Sequence, residues 1–96
     1  IDLGVTAAIA SSYREKAIAP DTALIGEVGL SGELRAVGRL GIRIREAAKL
    51  GFKRCIVPKA GGGAKISAEL TDSGLPGDFK IFPASTLAVA LEVALH

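Results

Sequence analysis

Apolar residues fall along this chain in two rhythms, helical spacing in some stretches and short unbroken runs in others. Residues 2–13 place Leu3, Val5, Ala8, Ile9 and Tyr13 at nearly helical spacing among small side chains, which predicts a helix. No capping residue precedes it, so the chain is expected to begin inside a helix of a longer protein. Gly4 weakens that helix and points to close packing against a neighbouring element. Residues 14–21 are a polar connection that ends on the Pro20-Asp21 turn signal. Residues 22–28 read as one buried strand, 29–32 as a glycine turn, and 33–37 as the returning strand of a hairpin.

A helix is predicted from about Arg39 to Leu50, with Leu40, Ile44, Ala47 and Ala48 as its apolar stripe. Arg39, Arg43 and Glu46 share a solvated flank, and Gly51 terminates the helix. Residues 53–57 form a short strand stopped by Pro58. The run from Ala60 to Ala64 reads as a flexible glycine loop before a helix over 65–70. Residues 73–77, with Pro76, form another loop, and 79–82 the last strand. Ser85 is the expected N-cap of a final helix that buries Leu87, Leu91, Ala94 and Leu95. Strands alternating with helices predict an α/β sandwich with at least partly parallel pairing.

Composition narrows this picture. Ninety-six residues suit one domain, and with no Trp or Met the core must be built from Ala, Val, Ile and Leu. No apolar run approaches the roughly 20 residues of a membrane span, and no signal peptide is visible. The single cysteine, Cys55, fits a buried strand position in a reducing compartment. Charge changes the picture more. Residues 35–65 carry nine bases against Glu46 alone, whereas the segments on either side are each net −3, leaving +2 overall. A basic middle third of this kind attracts phosphate backbones.

The candidate chemistry is correspondingly basic. Arg35, Arg39, Arg43, Arg45, Lys49, Lys53 and Arg54 cluster on and beside the 39–50 helix and can neutralise phosphates without reading sequence. A solvated helix face, partly shielded by Glu46, is the competing reading. No aromatic residues interleave with these bases, which argues against base stacking. The Gly61-Gly62-Gly63 run fails the P-loop pattern because Lys65 is followed by Ile66. Glu27 and Glu33 flank a tight turn with no metal-ligand cluster nearby, and Ser11 and Ser12 read as packing or surface residues.

Three segments together resemble the proteolytic domain of Lon. They are Pro20-Asp21, the GEVGLSGELR run at 26–35, and EAAKLGFKR at 46–54, with Val57-Pro58-Lys59 and STLAVALE at 85–92 in agreement. The match is closer still to the Lon-like carboxy-terminal domain of the RadA (Sms) family, RecA-related bacterial DNA-repair ATPases. The resemblance spans nearly the whole chain and implies a Lon-proteolytic-domain-like (ribosomal-protein-domain-like) α/β sandwich over residues 1–96. Lon enzymes use a Ser–Lys dyad in which a lysine kept unprotonated acts as base towards the serine. Aligned on the Lon G-G-L-K-E-K pattern, residues 38–43 place Gly41 at the lysine position. Arg39 and Arg43 cannot replace it, because guanidinium stays protonated. The family's serine aligns one residue before Ile1, and Ile1-Asp2 fall on the Ala-Gly that follows it.

The resemblance therefore implies no catalytic residue and no metal site in this chain. It implies a ring-forming scaffold, hexameric by the family's pattern, that presents a basic surface to DNA and supports a RecA-like ATPase motor. ATP, Mg and Zn are expected in upstream domains only. Expected partners are further copies of the chain, DNA and a RecA-type recombinase, with no membrane, in the bacterial cytoplasm or alternatively a plant organelle. A Ser–Lys peptidase fragment and a purely structural oligomerisation module are the alternatives.

Overall fold

The computed structural model describes residues 2–71 and 75–95. Its elements are α1 (Leu3–Arg14), β1 (Thr22–Leu24), β2 (Glu27–Val28), β3 (Leu34–Arg35), α2 (Leu40–Lys49), β4 (Arg54–Pro58), α3 (Gly63–Thr71), β5 (Lys80–Ala84) and α4 (Leu87–Ala94). Strands β1, β4 and β5 pair in parallel with β4 central, while β2 and β3 form a separate antiparallel hairpin. The α/β sandwich and the partly parallel pairing are therefore both present. Parts of the sequence expectations lie outside the described residues: Ile1 of the dyad alignment, Ser73 and Gly74 of the 73–77 loop, and His96.

Strand β4 organises two cores because its alternate residues point to opposite faces. Cys55 and Val57 pack with Leu40, Ile44 and Ala47 of α2, Leu70 of α3 and Phe79. Ile56 faces the other way, against Leu3 of α1, Leu34 of β3, and Ala90 and Ala94 of α4. Each fully buried aliphatic side chain contributes about 1.5–3 kcal/mol. Helices α2 and α3 thus cover one face of the sheet, and α1, α4 and the hairpin cover the other.

Several elements differ from expectation for identifiable reasons. The first helix does not start mid-turn: Asp2 caps it, its Oδ1 accepting from the Val5 backbone N–H at 3.2 Å. Gly4 makes room for this cap rather than for a neighbouring element, since a Cβ there would stand 3.0 Å from Asp2 Oδ1. The buried positions of α1 are Leu3 and Ala7, which leaves Val5, Ile9 and Tyr13 exposed. The expected strand over 22–28 is two strands in two sheets. Gly26, at φ +151°, turns the chain out of the parallel sheet and into the hairpin.

Two of the three glycines at 61–63 are packed, and only Gly62 faces open space. Ala60–Gly62 form a 3-10 turn, and α3 begins at Gly63. A Cβ on Gly61 would collide with Ala36, and one on Gly63 with the Pro58 carbonyl oxygen. The cap of α4 is Thr86 rather than Ser85, its hydroxyl accepting from the Val89 N–H at 3.3 Å. Helix α2 ends as expected at Gly51, where the Gly51 N–H bonds Ala48 and the Phe52 N–H bonds Ala47. This is the paired arrangement that a left-handed residue at φ +96° permits.

Candidate basic surface and the cleft beside it

The β3 to β4 segment carries its bases to both ends of the parallel sheet. Helix α2 runs antiparallel to the strands, with Leu40 beside Gly63 and the end of β4, and Lys49 close in sequence to the start of β4. At the carboxyl end of the strands lie Arg35, Arg39, Lys59 and Lys65, all exposed. They converge there because Gly61 packs on Ala36 and Gly63 on Leu40. Lys59 and Lys65 entered the charge count but were not expected at the site; the glycine-mediated packing that brings them in is invisible in the sequence. At the amino end lie Arg45, Lys49, Lys53 and Arg54.

These side chains are not equivalent. Arg39, Arg45 and Lys49 have no side-chain hydrogen bond or ion pair among the described residues. Arg43 Nε donates to the Gly38 carbonyl at 3.0 Å, which steers its guanidinium towards the start of α2. Arg39 holds a left-handed backbone, φ 60° and ψ 36°, at a cost of roughly 1–2 kcal/mol for a residue with a Cβ. Arg35 stands 3.9 Å from Glu33, and Lys53 3.3 Å from Asp78; both pairs are exposed and weak.

Arg54 is different in kind. Its Nε and one terminal nitrogen donate to Thr22 Oγ1 at 2.9 and 2.8 Å, and that nitrogen also reaches the Val93 carbonyl at 3.1 Å. The guanidinium carbon sits 5.5 Å from the Phe82 ring centroid, and Nε lies 3.8 Å from Asp21. These contacts tie β1, β4, β5 and the end of α4 together, and they engage its Nε and one terminal nitrogen within the fold.

A solvent-open cleft of about 390 Å³ lies between the start of α1, the Gly26 bend and α2. Its polar lining is Asp2, Glu27, Arg43 and Glu46, around Ile25, Val37, Leu50 and Phe52. No serine, lysine, cysteine or histidine is among the described residues that line it. Gly41, in the first turn of α2, has open space where a side chain would extend. Ser11 sits far along α1, its hydroxyl donating to the Lys16 carbonyl as part of the helix end. Cys55 is buried in β4 away from the cleft, and burial pushes its thiol pKa up to about 12. Among the described residues no helix is long and apolar enough to cross a membrane.

The fold and the motif positions together define a Lon-type proteolytic domain. The chain belongs to the family of Lon protease (S16) C-terminal proteolytic domains, whose model matches residues 2–96. Within that family its similarity runs to proteins described as DNA repair protein RadA. The one from Halalkalibacterium halodurans is 46% identical over 96 residues, 99% of this chain and 19% of the relative. Those from Listeria monocytogenes and Synechocystis are 41% and 38% identical, each over 99% of this chain and 19% and 17% of the relative. The chain thus spans about a fifth of the length of these curated relatives.

Proposed function

We propose that this chain is the non-proteolytic, Lon-like scaffold domain of a RadA-type DNA repair and recombination protein. In this reading it supports ring assembly, hexameric by the family's pattern, and touches DNA through basic side chains around α2. The observation that carries the proposal is the basic cluster itself, set beside a cleft with Gly41 at the dyad-lysine position. A Ser–Lys dyad needs both side chains within hydrogen-bond reach, and a glycine supplies no base. The cluster instead offers Arg39, Arg43 and Arg35, with Lys59 and Lys65 alongside, as charges that release counterions from phosphates. Arg45, Lys49 and Lys53 extend the positive field at the other end of the sheet.

The whole protein would then be a DNA-dependent ATPase acting in homologous recombination beside a RecA-type recombinase, in the bacterial cytoplasm. ATP, Mg and Zn belong to its upstream segments. The glycine run here lacks P-loop spacing, and its Gly61 and Gly63 are committed to packing on Ala36 and Pro58, so no residue of this chain is assigned to nucleotide.

The test is DNA binding by the full-length protein across a salt series. Charge reversal at Arg39 and Arg43 is expected to weaken binding and to flatten the salt dependence by about 0.9 for each duplex phosphate no longer neutralised. Unchanged affinity and slope would remove the DNA role and leave a structural module. Labelling of this domain by a serine-directed acylating probe would overturn its non-proteolytic character.

A further inference from the structure

The β2–β3 hairpin ends in a leucine with nowhere to go. Leu30 is fully exposed at the tip. The turn beneath it is held by Gly29 N–H to the Glu33 carbonyl at 2.8 Å and Gly32 N–H to the Gly29 carbonyl at 3.0 Å. Ser31 N–H donates to Glu33 Oε1 at 3.0 Å, and Leu87 N–H ties the Gly32 carbonyl to the start of α4 at 2.8 Å. A tip fixed this way presents an apolar knob that needs little further ordering when it docks.

A receptacle of matching character lies at the opposite end of the sheet and on its opposite face. Ala48, Leu75 and Pro76 line a solvent-open pocket of about 300 Å³, flanked by Arg45 and Lys49. Those two cations have no side-chain partner among the described residues. The hairpin carries Glu27 and Glu33 against Arg35, a net negative charge, and the pocket rim carries two positive ones. Knob and pocket are therefore complementary in both apolar character and charge.

We propose that Leu30 of one copy seats in the Ala48–Leu75–Pro76 pocket of the next, with Glu33 directed towards Arg45 and Lys49. The occupant is a second copy of this chain, and the inference rests on the ring-assembly reading above. Because the hairpin sits with α1 and α4 at the carboxyl end of the sheet, and the pocket with α2 at the amino end, the two cannot meet in an isologous pair. The interface is head-to-tail, which generates a ring when the rotation closes. It also divides α2: Arg39 and Arg43 remain for DNA, while Arg45 and Lys49 serve the neighbour.

The experiment is sedimentation velocity of the full-length protein without DNA, over a dilution series. Leu30→Lys and Lys49→Glu are each expected to raise the concentration of half-assembly at least about tenfold, as removal of a central anchor does. Combining them should recover part of the assembly, because the new lysine meets the new carboxylate although the apolar anchor stays lost. Tyr13→Ser, on the exposed side of α1, serves as the control and should assemble like the parent. Circular dichroism melting establishes that each variant is folded. A parent that assembles while Leu30→Lys does so equally well overturns the interface and leaves the ring reading intact. Single variants that both fail without recovery in the double also overturn it. A parent that stays monomeric at every concentration removes both readings.

Discussion

Replacing Arg54 by alanine separates a structural arginine from those proposed to touch DNA. The guanidinium makes three hydrogen bonds, but two converge on the single Thr22 Oγ1, so they count as one acceptor satisfied. The bond to the Val93 carbonyl is the second. Charged hydrogen bonds contribute about 1.5–3 kcal/mol each, reduced here because the side chain is partly exposed. The Phe82 face adds about 0.5–1 kcal/mol, and the 3.8 Å approach to Asp21 adds little in solvent. Thr22 is not orphaned by the change, since its hydroxyl still reaches Asp21 Oδ1 at 3.2 Å. The net expectation is a loss of about 3 kcal/mol, or roughly 12–24 °C in Tm for a domain of this size. Arg54→Lys keeps the charge but not the fork, and should lose about half as much. Urea unfolding followed by circular dichroism measures both, while the salt dependence of DNA binding should stay unchanged at temperatures where the variants are folded. A lysine variant as stable as the parent, or an alanine variant within about 0.5 kcal/mol of it, would refute the assigned network.

Glycine substitutions should divide by surroundings. Gly63→Ala, colliding with the Pro58 carbonyl, is expected to cost about 3 kcal/mol or more, whereas Gly41→Ala, opening into free space in the first turn of α2, should gain up to about 1 kcal/mol in the same urea titration. Cys55 yields a pH dependence. With the folded thiol at about 12 against an ordinary 9.0, both states are protonated below about pH 9 and the thiol leaves stability unchanged. Above that the unfolded chain ionises first, so stability should fall by up to about 1.4 kcal/mol per pH unit until the folded thiol titrates. Comparing Cys55→Ala with the parent across pH 8–11 isolates this slope, which the alanine variant should lack.

Much of the domain is legible in the unfolded chain. The hairpin is written in the paired glycines around Leu30-Ser31, and α2 in the spacing of Leu40, Ile44 and Ala47 with Gly51 behind them. The departures share a cause: each depends on partners distant in sequence. TALIGEV reads as one largely apolar strand in which nothing marks Gly26 as a corner; only Leu3 and Pro58 packed around it make it one. Residues 61–63 read as a loose loop because glycines are loop formers, yet Ala36 requires Gly61 and Pro58 requires Gly63. Helix α1 offers two apolar faces, and the fold buries the smaller one so that α1 can approach α4. Arg54 reads as one more surface base, since Thr22 and Val93 lie 32 and 39 positions away. The pooling of Lys59 and Lys65 with Arg35 likewise follows from tertiary packing.

Among the described residues strand β5 forms one border of the parallel sheet, and it contains Pro83. Lys80 donates to Lys53, and Ala84 accepts from Lys59, so even-numbered residues of β5 face β4 and odd-numbered ones face outward. The outward position of Pro83 therefore lacks the N–H that an incoming strand would require. The other border, β1, is three residues long. A sheet blunted at both sides resists growth by backbone pairing, the route by which crowded copies run on into fibres. Copies brought to high local concentration would thus be left to meet through side chains, where a clash or a mismatched charge can still reject a wrong partner.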